Sequence, residues 1–335
     1  MKNKKLGVYG IGNPLIDILA HVDDEDIKAL ALEKGTMTLI DNERGNEILR
    51  HIDEYEKKYA CGGSAPNTMI TLAALGIGTA LAGMVGRDDL GGIYKDRLEE
   101  KNVISDLSTS PVETGSCIVL VTPDYERTMS TRLGACRELG PDNVNHEKIK
   151  EAQYLYFTGY MWDTDNQKKA LMDAIKTARQ SGTKVAFDLA DPFVVERHYN
   201  DFTRLIKDKV DVLLANREEA KLMLGYDDPE RASRELAQND VVAAVKNCAD
   251  GSCIGCADGE CYVVDAFKVN AVDSTGAGDN YAAGFLYGLI KGYPYADAGK
   301  LASFVAAQVV TQTGAQFDEQ ASKEILKAIA EEQWQ

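Results

Sequence analysis

Two aspartates bracket a glycine-rich turn in the stretch "VDSTGAGD" at positions 272–279, just ahead of the apolar run "NYAAGFLYGLI". The pattern predicts that Asp273 closes a strand and that Gly276, Ala277 and Gly278 open a helix. The first N–H groups of a helix lack internal partners, and the helix dipole makes that end positive. Glycines let an anion approach those N–H groups without a Cβ in the way. A phosphoryl group in transfer, its charge spread over several oxygens, is stabilised by such an arrangement. Asp279 falls in the first turn, where the helix end is expected to lower its pKa. A carboxylate there is useful if it takes a proton from a hydroxyl or orients it. The plain alternative is a capped turn and nothing more. Two aspartates in this order weigh against it.

Three other stretches carry polar groups in useful places. In "CGGSAPN" (61–67), Gly62 and Gly63 permit close backbone approach, and Asn67 offers a donor and an acceptor to a hydroxyl. Its structural alternative is a helix start capped by Ser64, with Pro66 in the first turn. In "YGIGNPLIDI" (9–18), Asp17 can accept two hydrogen bonds from a vicinal diol, or be merely an acid at a turn. In "LLANREEA" (213–220), Glu219 stands three residues after Asn216 on one face of a helix that begins at a strand end. That pair suits Mg²⁺ held through water, since magnesium keeps much of its hydration; a solvated acidic pair is the alternative. "GIGNPL" fails as a dinucleotide fingerprint, because Leu15 stands where the third glycine belongs.

The elements that must position these groups follow from the apolar pattern. Strand-like runs lie at 6–12, 154–159, 183–188, 210–215 and 241–246, with helical patterns at 164–180, 193–207 and 216–224. Strands apolar on both faces and separated by helices predict a mainly parallel sheet covered on both sides, with ligands beyond its carboxyl ends. Two excursions, about 15–40 and 110–135, break the rhythm. The first holds an acidic helix start, and the second reads as a hairpin, "GSCIVLVT" and "TMSTRL" around "PDYER". Both predict a small β-sheet lid on one large α/β unit spanning 1–335. The C-terminal "DEQASKEILKAIAEEQ" reads as an amphipathic packing helix.

Composition narrows the partners. Lys and Arg number 37 against 53 Asp and Glu, a net charge of −16, which argues against a nucleic-acid or anionic-membrane surface. The N-terminus lacks a signal-peptide core, and no apolar run reaches spanning length. Seven scattered cysteines suit a reducing compartment, so a cytoplasmic protein is expected. Four of them form a short tandem duplication, "CADGSCIGCADGEC" (248–261), that admits small buried thiols, a structural metal or a redox pair. A "DG" turn there would set Cys256 opposite Cys261. Oligomeric state stays open between a monomer and a homodimer.

"DSTGAGD" resembles the second signature of the ribokinase-like, or phosphofructokinase-B, kinases, with Ser274 in place of a threonine. "CGGSAPN" resembles the first signature, "LLANREEA" the N-x-x-E motif, and "YGIGNPLIDI" the opening strand, all in family order. The resemblance implies a ribokinase-like three-layer fold, a small-molecule substrate, ATP as donor and Mg²⁺. It implies Asp279 as the catalytic residue, with Gly276, Ala277 and Gly278 as the anion pocket. By the same resemblance Asn13, Asp17, Gly62, Gly63 and Asn67 hold substrate, and Asn216, Lys246, Gly251, Gly276 and Gly278 hold ATP. Magnesium falls to Asn216 and Glu219 through water, and the family's monovalent-cation (K⁺) site maps to Asp273 and Thr275. "VKNCADGSC" departs from the family's donor-site pattern, with Cys248 where its first glycine is usual.

Within the family, "GNPLIDI", "RLGAC" (132–136), "DLADPF" (188–193) and "TGAQF" (313–317) resemble the adenosine-kinase-like branch. That implies a purine held between Leu133 and Ala135 on the lid and Tyr160 and Met161 opposite, unless these simply pack in the core. Adenosine is then the expected substrate, with another nucleoside or a free sugar as alternative. A non-catalytic sensor on the same fold is the rival from another class.

Overall fold

A computed structural model describes residues 4–124 and 126–334. Numbered in chain order, nine strands form one sheet: β1 Leu6–Ile11, β5 Thr79–Gly86, β6 Val103–Ser110, β9 Ala152–Thr158, β10 Lys184–Asp188, β11 Val212–Asn216, β12 Val242–Lys246, β13 Ser252–Gly255 and β14 Cys261–Val264. Their order is β14-β13-β12-β11-β10-β9-β1-β5-β6. All neighbours run parallel except β12–β13 and β13–β14, which are antiparallel. Five strands form a second sheet: β2 Leu15–His21, β3 Met37–Leu39, β4 Lys57–Gly62, β7 Ser116–Val121 and β8 Arg127–Arg132, in the order β3-β8-β7-β2-β4.

Alternation along the central strands explains the layers. Tyr9, Leu155, Phe157, Phe187 and Leu213 enter one apolar core, while Val8, Tyr156, Ala186 and Leu214 enter another. Side chains on a strand alternate faces, so a sheet with two apolar faces must be covered twice. Helices Asp165–Ser181 and Pro192–Lys209 cover the first face. Helices Ser64–Ala74, Ala277–Lys291 and Tyr295–Val309 cover the second, and the C-terminal helix Glu319–Ala330 joins them through Ile325 and Ile329.

The small sheet is built by the same rule on a smaller scale. Ala20, Ile118 and Leu120 point outward under Ile27, Leu30, Ile48 and Ile52 from helices Asp24–Ala29 and Asn42–His51 and the residues that follow them. Cys117, Val119 and Val121 point the other way with Leu19 and Met129. Strand β4 lies beyond the expected excursion, so the sheet draws on a longer first segment than 15–40. The hairpin turn includes Tyr125, outside the described residues. Asp273 closes no strand: β14 ends at Val264, and residues 265–274 are irregular.

Candidate active site

Strand order reverses at β1, which has β5 on one side and β9 on the other. A crevice opens where connections leave a parallel sheet in opposite directions. Asn13 follows β1 there and Tyr160 follows β9, and both line a cleft of about 900 Å³. The small sheet roofs it with Leu15, Asp17, Leu19 and Met129, and the glycine turn closes one side with Asp273, Gly276 and Asp279.

Gly276 must be glycine twice over. Its φ is +75°, and a Cβ there would stand 2.4 Å from that of Ala315. The chain then enters helix Ala277–Lys291, with Asp279 in its first turn. The Ala277 N–H turns inward to the Ser274 carbonyl at 3.2 Å, so within the predicted anion pocket it is already engaged. The Gly278 N–H stays in the first turn, where a helix offers it no internal acceptor.

Asp279 sits where two helix starts meet. Ser64 Oγ donates to one carboxylate oxygen at 2.6 Å, and Asn67 Nδ2 donates to the other at 2.9 Å. Ser64 is therefore no cap, because Gly63 occupies the N-cap position of helix Ser64–Ala74. Burial pushes the Asp279 pKa up to about 6, against the lowering effect of those two hydrogen bonds. The lowering expected from the helix end is overturned, because desolvation outweighs the dipole.

Asp17 faces the cleft from β2, and Gly62 on β4 leaves room for it. A Cβ at Gly62 would lie 2.2 Å from Asp17 Oδ2. Burial raises Asp17 to about 7; Arg127 pulls it down and Asp279 pushes it further up. No donor among the described residues reaches its carboxylate. At Gly63, with φ +103°, a Cβ would stand 2.2 Å from the Asn13 carbonyl oxygen, so only glycine lets the two segments lie this close. Asn13 Oδ1 accepts from Gln167 Nε2 at 2.6 Å, which orients its side chain at the cleft wall.

Deeper under the glycine turn, Lys246 at the end of β12 pairs with Asp188 at 2.9 Å. Its Nζ lies 3.5 Å from the Cβ position of Gly278, directly below the first turn. Asn216 and Glu219 form a reciprocal cap at the next helix, Arg217–Leu224. Glu219 accepts from the Asn216 N–H at 2.7 Å and from its Nδ2 at 2.6 Å. Both Glu219 oxygens are thus committed and the residue is buried, so the pair fits magnesium only at the distance of its water shell. Gly251, at φ +90°, passes tightly against Val264. Cys248 keeps the left-handed backbone, at φ +51°, that the usual glycine would take.

The monovalent-cation expectation meets a different arrangement. Asp273 accepts from the Thr275 N–H at 2.9 Å, Thr275 Oγ1 at 2.7 Å and the Gly314 N–H at 2.8 Å. Arg127, reaching across from β8, adds an ion pair at 2.6 Å and also donates to Thr275. These side chains are saturated, and a guanidinium already supplies the positive charge; they do not fit a further cation. Burial pushes Asp273 up, but the hydrogen bonds and Arg127 hold it below the usual carboxylate range.

Leu133 and Tyr160 line the cleft, Tyr160 donating to Asp191 at 3.3 Å. Ala135 and Met161 do not: both are fully buried in the core beside Leu139 and Leu171. Chain neighbours of a lining residue turn away, and small or flexible apolar groups fill the interior. The cysteine block also differs from expectation. Cys261 pairs with Gly255, and Cys256 faces Glu260. Cys248 is exposed, Cys253 and Cys256 are buried and Cys261 is half-buried.

Among the cleft residues that escaped sequence reading are Arg127 and Asp163, and Ser64 was read only as a cap. Arg127 was reachable by alternation, since Met129 and Thr131 lie two and four residues on along β8 and line the same cleft. Nothing in the sequence said which face of that strand looks inward.

The chain matches the family model described as pfkB family carbohydrate kinase over residues 33–322. Among curated proteins it is 30% identical over 281 residues to the 5-dehydro-2-deoxygluconokinase of Geobacillus kaustophilus, covering 79% of this chain and 84% of that one. Among solved structures it is 34% identical to an adenosine kinase from Sinorhizobium meliloti, with a TM-score of 0.88 over 97% of this chain and 99% of the other. An adenosine kinase from Schistosoma mansoni, solved with 2-fluoroadenosine, shares the fold at a TM-score of 0.84 and 21% identity, over 93% of this chain and 97% of the other. The three-layer architecture is ribokinase-like, and with the matched family model it makes this chain a member of the pfkB family of carbohydrate kinases, a sugar or nucleoside kinase.

Proposed function

We propose that the protein transfers the γ-phosphoryl group of ATP to the primary hydroxyl of a nucleoside, adenosine first among them. The observation that carries this reading is the inner face of the small sheet. Leu15, Leu19, Met37, Val121 and Met129 face the cleft around the half-buried carboxylate of Asp17. An apolar surface of that kind suits the flat face of a base, and Asp17 suits the two hydroxyls of a ribose. The name of the curated relatives favours a second reading, a sugar acid of the gluconate type. Such a substrate needs a cation for its own carboxylate. Apart from His21, the cationic side chains of the cleft are Arg127, already joined to Asp273, and the exposed Lys58.

Asp279, raised to about 6, takes the hydroxyl proton late in the reaction while Ser64 and Asn67 hold it in line. The first turn of its helix, with Lys246 below, steadies the phosphoryl oxygens. Asn216, Gly251 and Gly278 flank the donor. Magnesium, bound to the donor phosphates, would neutralise charge there, with Glu219 and Asn216 meeting its water. A sensor on the same fold has no use for a buried carboxylate clamped beside an anion pocket. Seven free cysteines suit the cytoplasm. ADP release over a panel of nucleosides, free sugars and 5-dehydro-2-deoxygluconate tests the reading. Turnover of the sugar acid alone would overturn it, and no turnover of any would favour the sensor.

A further inference from the structure

Five carboxylates line the cleft: Asp17, Glu126, Asp163, Asp273 and Asp279. Glu126 is exposed, and Asp273 and Asp279 have both oxygens engaged. Two half-buried ones remain, Asp17 and Asp163, each with an oxygen that no described residue pairs. On the nucleoside reading Asp17 belongs to the ribose. Asp163 has no part in the chemistry described so far.

Asp163 follows the short 3-10 turn Gly159–Trp162, on the wall that Tyr160 also lines. Its side chain is only 7% exposed. One oxygen, Oδ1, accepts from Arg197 Nη2 at 2.8 Å and lies 3.4 Å from His198 Nε2. Both partners come from helix Pro192–Lys209, which departs from helical geometry at His198, with φ −120° and ψ 19°. The other oxygen, Oδ2, receives no hydrogen bond from any described residue. A carboxylate is thus fixed by one oxygen and offers the other to whatever fills the cleft. That oxygen still reaches solvent, since among the described residues the fully buried side-chain polar atom without a partner is Ser130 Oγ, so a base that fills the cleft must replace water there with a donor.

We propose that Asp163 is a specificity-determining residue that accepts a hydrogen bond from the exocyclic amino group of the base, selecting amino-bearing nucleosides over their carbonyl counterparts. The inference rests on the nucleoside reading of the cleft. An ionised carboxylate can only accept. Adenosine and cytidine bring an N–H donor, whereas inosine and uridine bring a carbonyl oxygen against it. The wild-type protein should therefore show kcat/KM about tenfold to a hundredfold higher for the amino member of a pair. Asp163→Asn keeps the shape, and its amide can donate as well as accept, so the preference should shrink to about threefold or less. The change should be read in KM more than in kcat, because Asp163 holds the base while Asp279 and Asp17 are untouched.

Adenosine against inosine, and cytidine against uridine, would be compared in both proteins. Calorimetric binding of adenosine, purine riboside and inosine to the wild-type protein supplies a readout that needs no variant to fold. Adenosine should bind tightest. Equal kcat/KM for both members of each pair in the wild type, or a preference unchanged in Asp163→Asn, overturns the inference while leaving a nucleoside kinase. Turnover of 5-dehydro-2-deoxygluconate and of no nucleoside removes the underlying reading, and the inference with it.

Discussion

On the proposed reading Asp279 is a base of moderate strength held by two donors, and its environment says how activity should vary with pH. Its pKa of about 6 arises mainly from burial, so the catalytic form is lost in mild acid. The acid limb of kcat/KM should fall near that value. Asp279→Asn should keep near-normal substrate affinity and lower kcat by about 10²–10⁴, the range for a positioned base. A variant with more than about a tenth of wild-type kcat would reduce Asp279 to a structural role. Asp17 makes a prediction about stability instead. Its pKa rises from 3.8 to about 7 on folding, so between those values the folded chain binds more protons than the unfolded one. Stability is complete below the lower value and is lost as pH rises through the upper one. Asp17→Asn removes that loss, so it should melt above wild type at about pH 8 and level with it near pH 4. Equal melting temperatures across the range would mean that Asp17 is solvated in the folded protein.

At the scale of elements, the strands that carry the site were legible in proportion to their burial. β1 and β9 to β12 read as strands because both their faces meet a core, leaving near-continuous apolar runs. β5, "TALAGMVG", is as deeply buried, but glycine and alanine dilute its signal. β6, "VISDLSTS", and β4, "KKYACG", lie at sheet edges with exposed polar residues, so neither carried the pattern. The role of Gly62 is equally tertiary: it depends on a carboxylate 45 positions away in sequence lying so near that a Cβ there would stand 2.2 Å from its oxygen. Gly62→Ala should therefore behave like damage to Asp17, raising KM for the phosphoryl acceptor with little change in KM for ATP. Equal increases in both would point to general misfolding. The β13–β14 hairpin argues likewise against a metal. Cys253 and Cys261 share one face of it, with Cys261 Sγ 3.2 Å from Ser233 Oγ, while Cys256 points to the other. Purified protein should carry no stoichiometric zinc, and a chelator should leave its melting temperature alone. One zinc per chain by elemental analysis would overturn this.

Across the whole molecule, the four motifs come together from positions more than 260 residues apart, because strand order reverses at β1 and so brings the ends of β1 and β9 beside the glycine turn. The motifs themselves could be read in sequence, but their closing partners could not. Arg127, Ser64 and Asp163 acquire meaning only when two sheets face each other. The misplacement of Ala135 and Met161 has the same origin, since a resemblance of local sequence does not say which of two nearby residues turns toward a ligand.

The Arg127–Asp273 pair also has a kinetic consequence. It ties the small sheet to the glycine turn at 2.6 Å, so any opening of one away from the other breaks an ion pair. Where entry requires that opening, arrival is paced by the host rather than by diffusion. In stopped-flow mixing, the observed association rate should bend to a ceiling as nucleoside concentration rises. Arg127→Ala should lift that ceiling and make the dependence linear, even as turnover declines. A wild-type rate that climbs in a straight line to high concentration would show that the doorway stands open at rest.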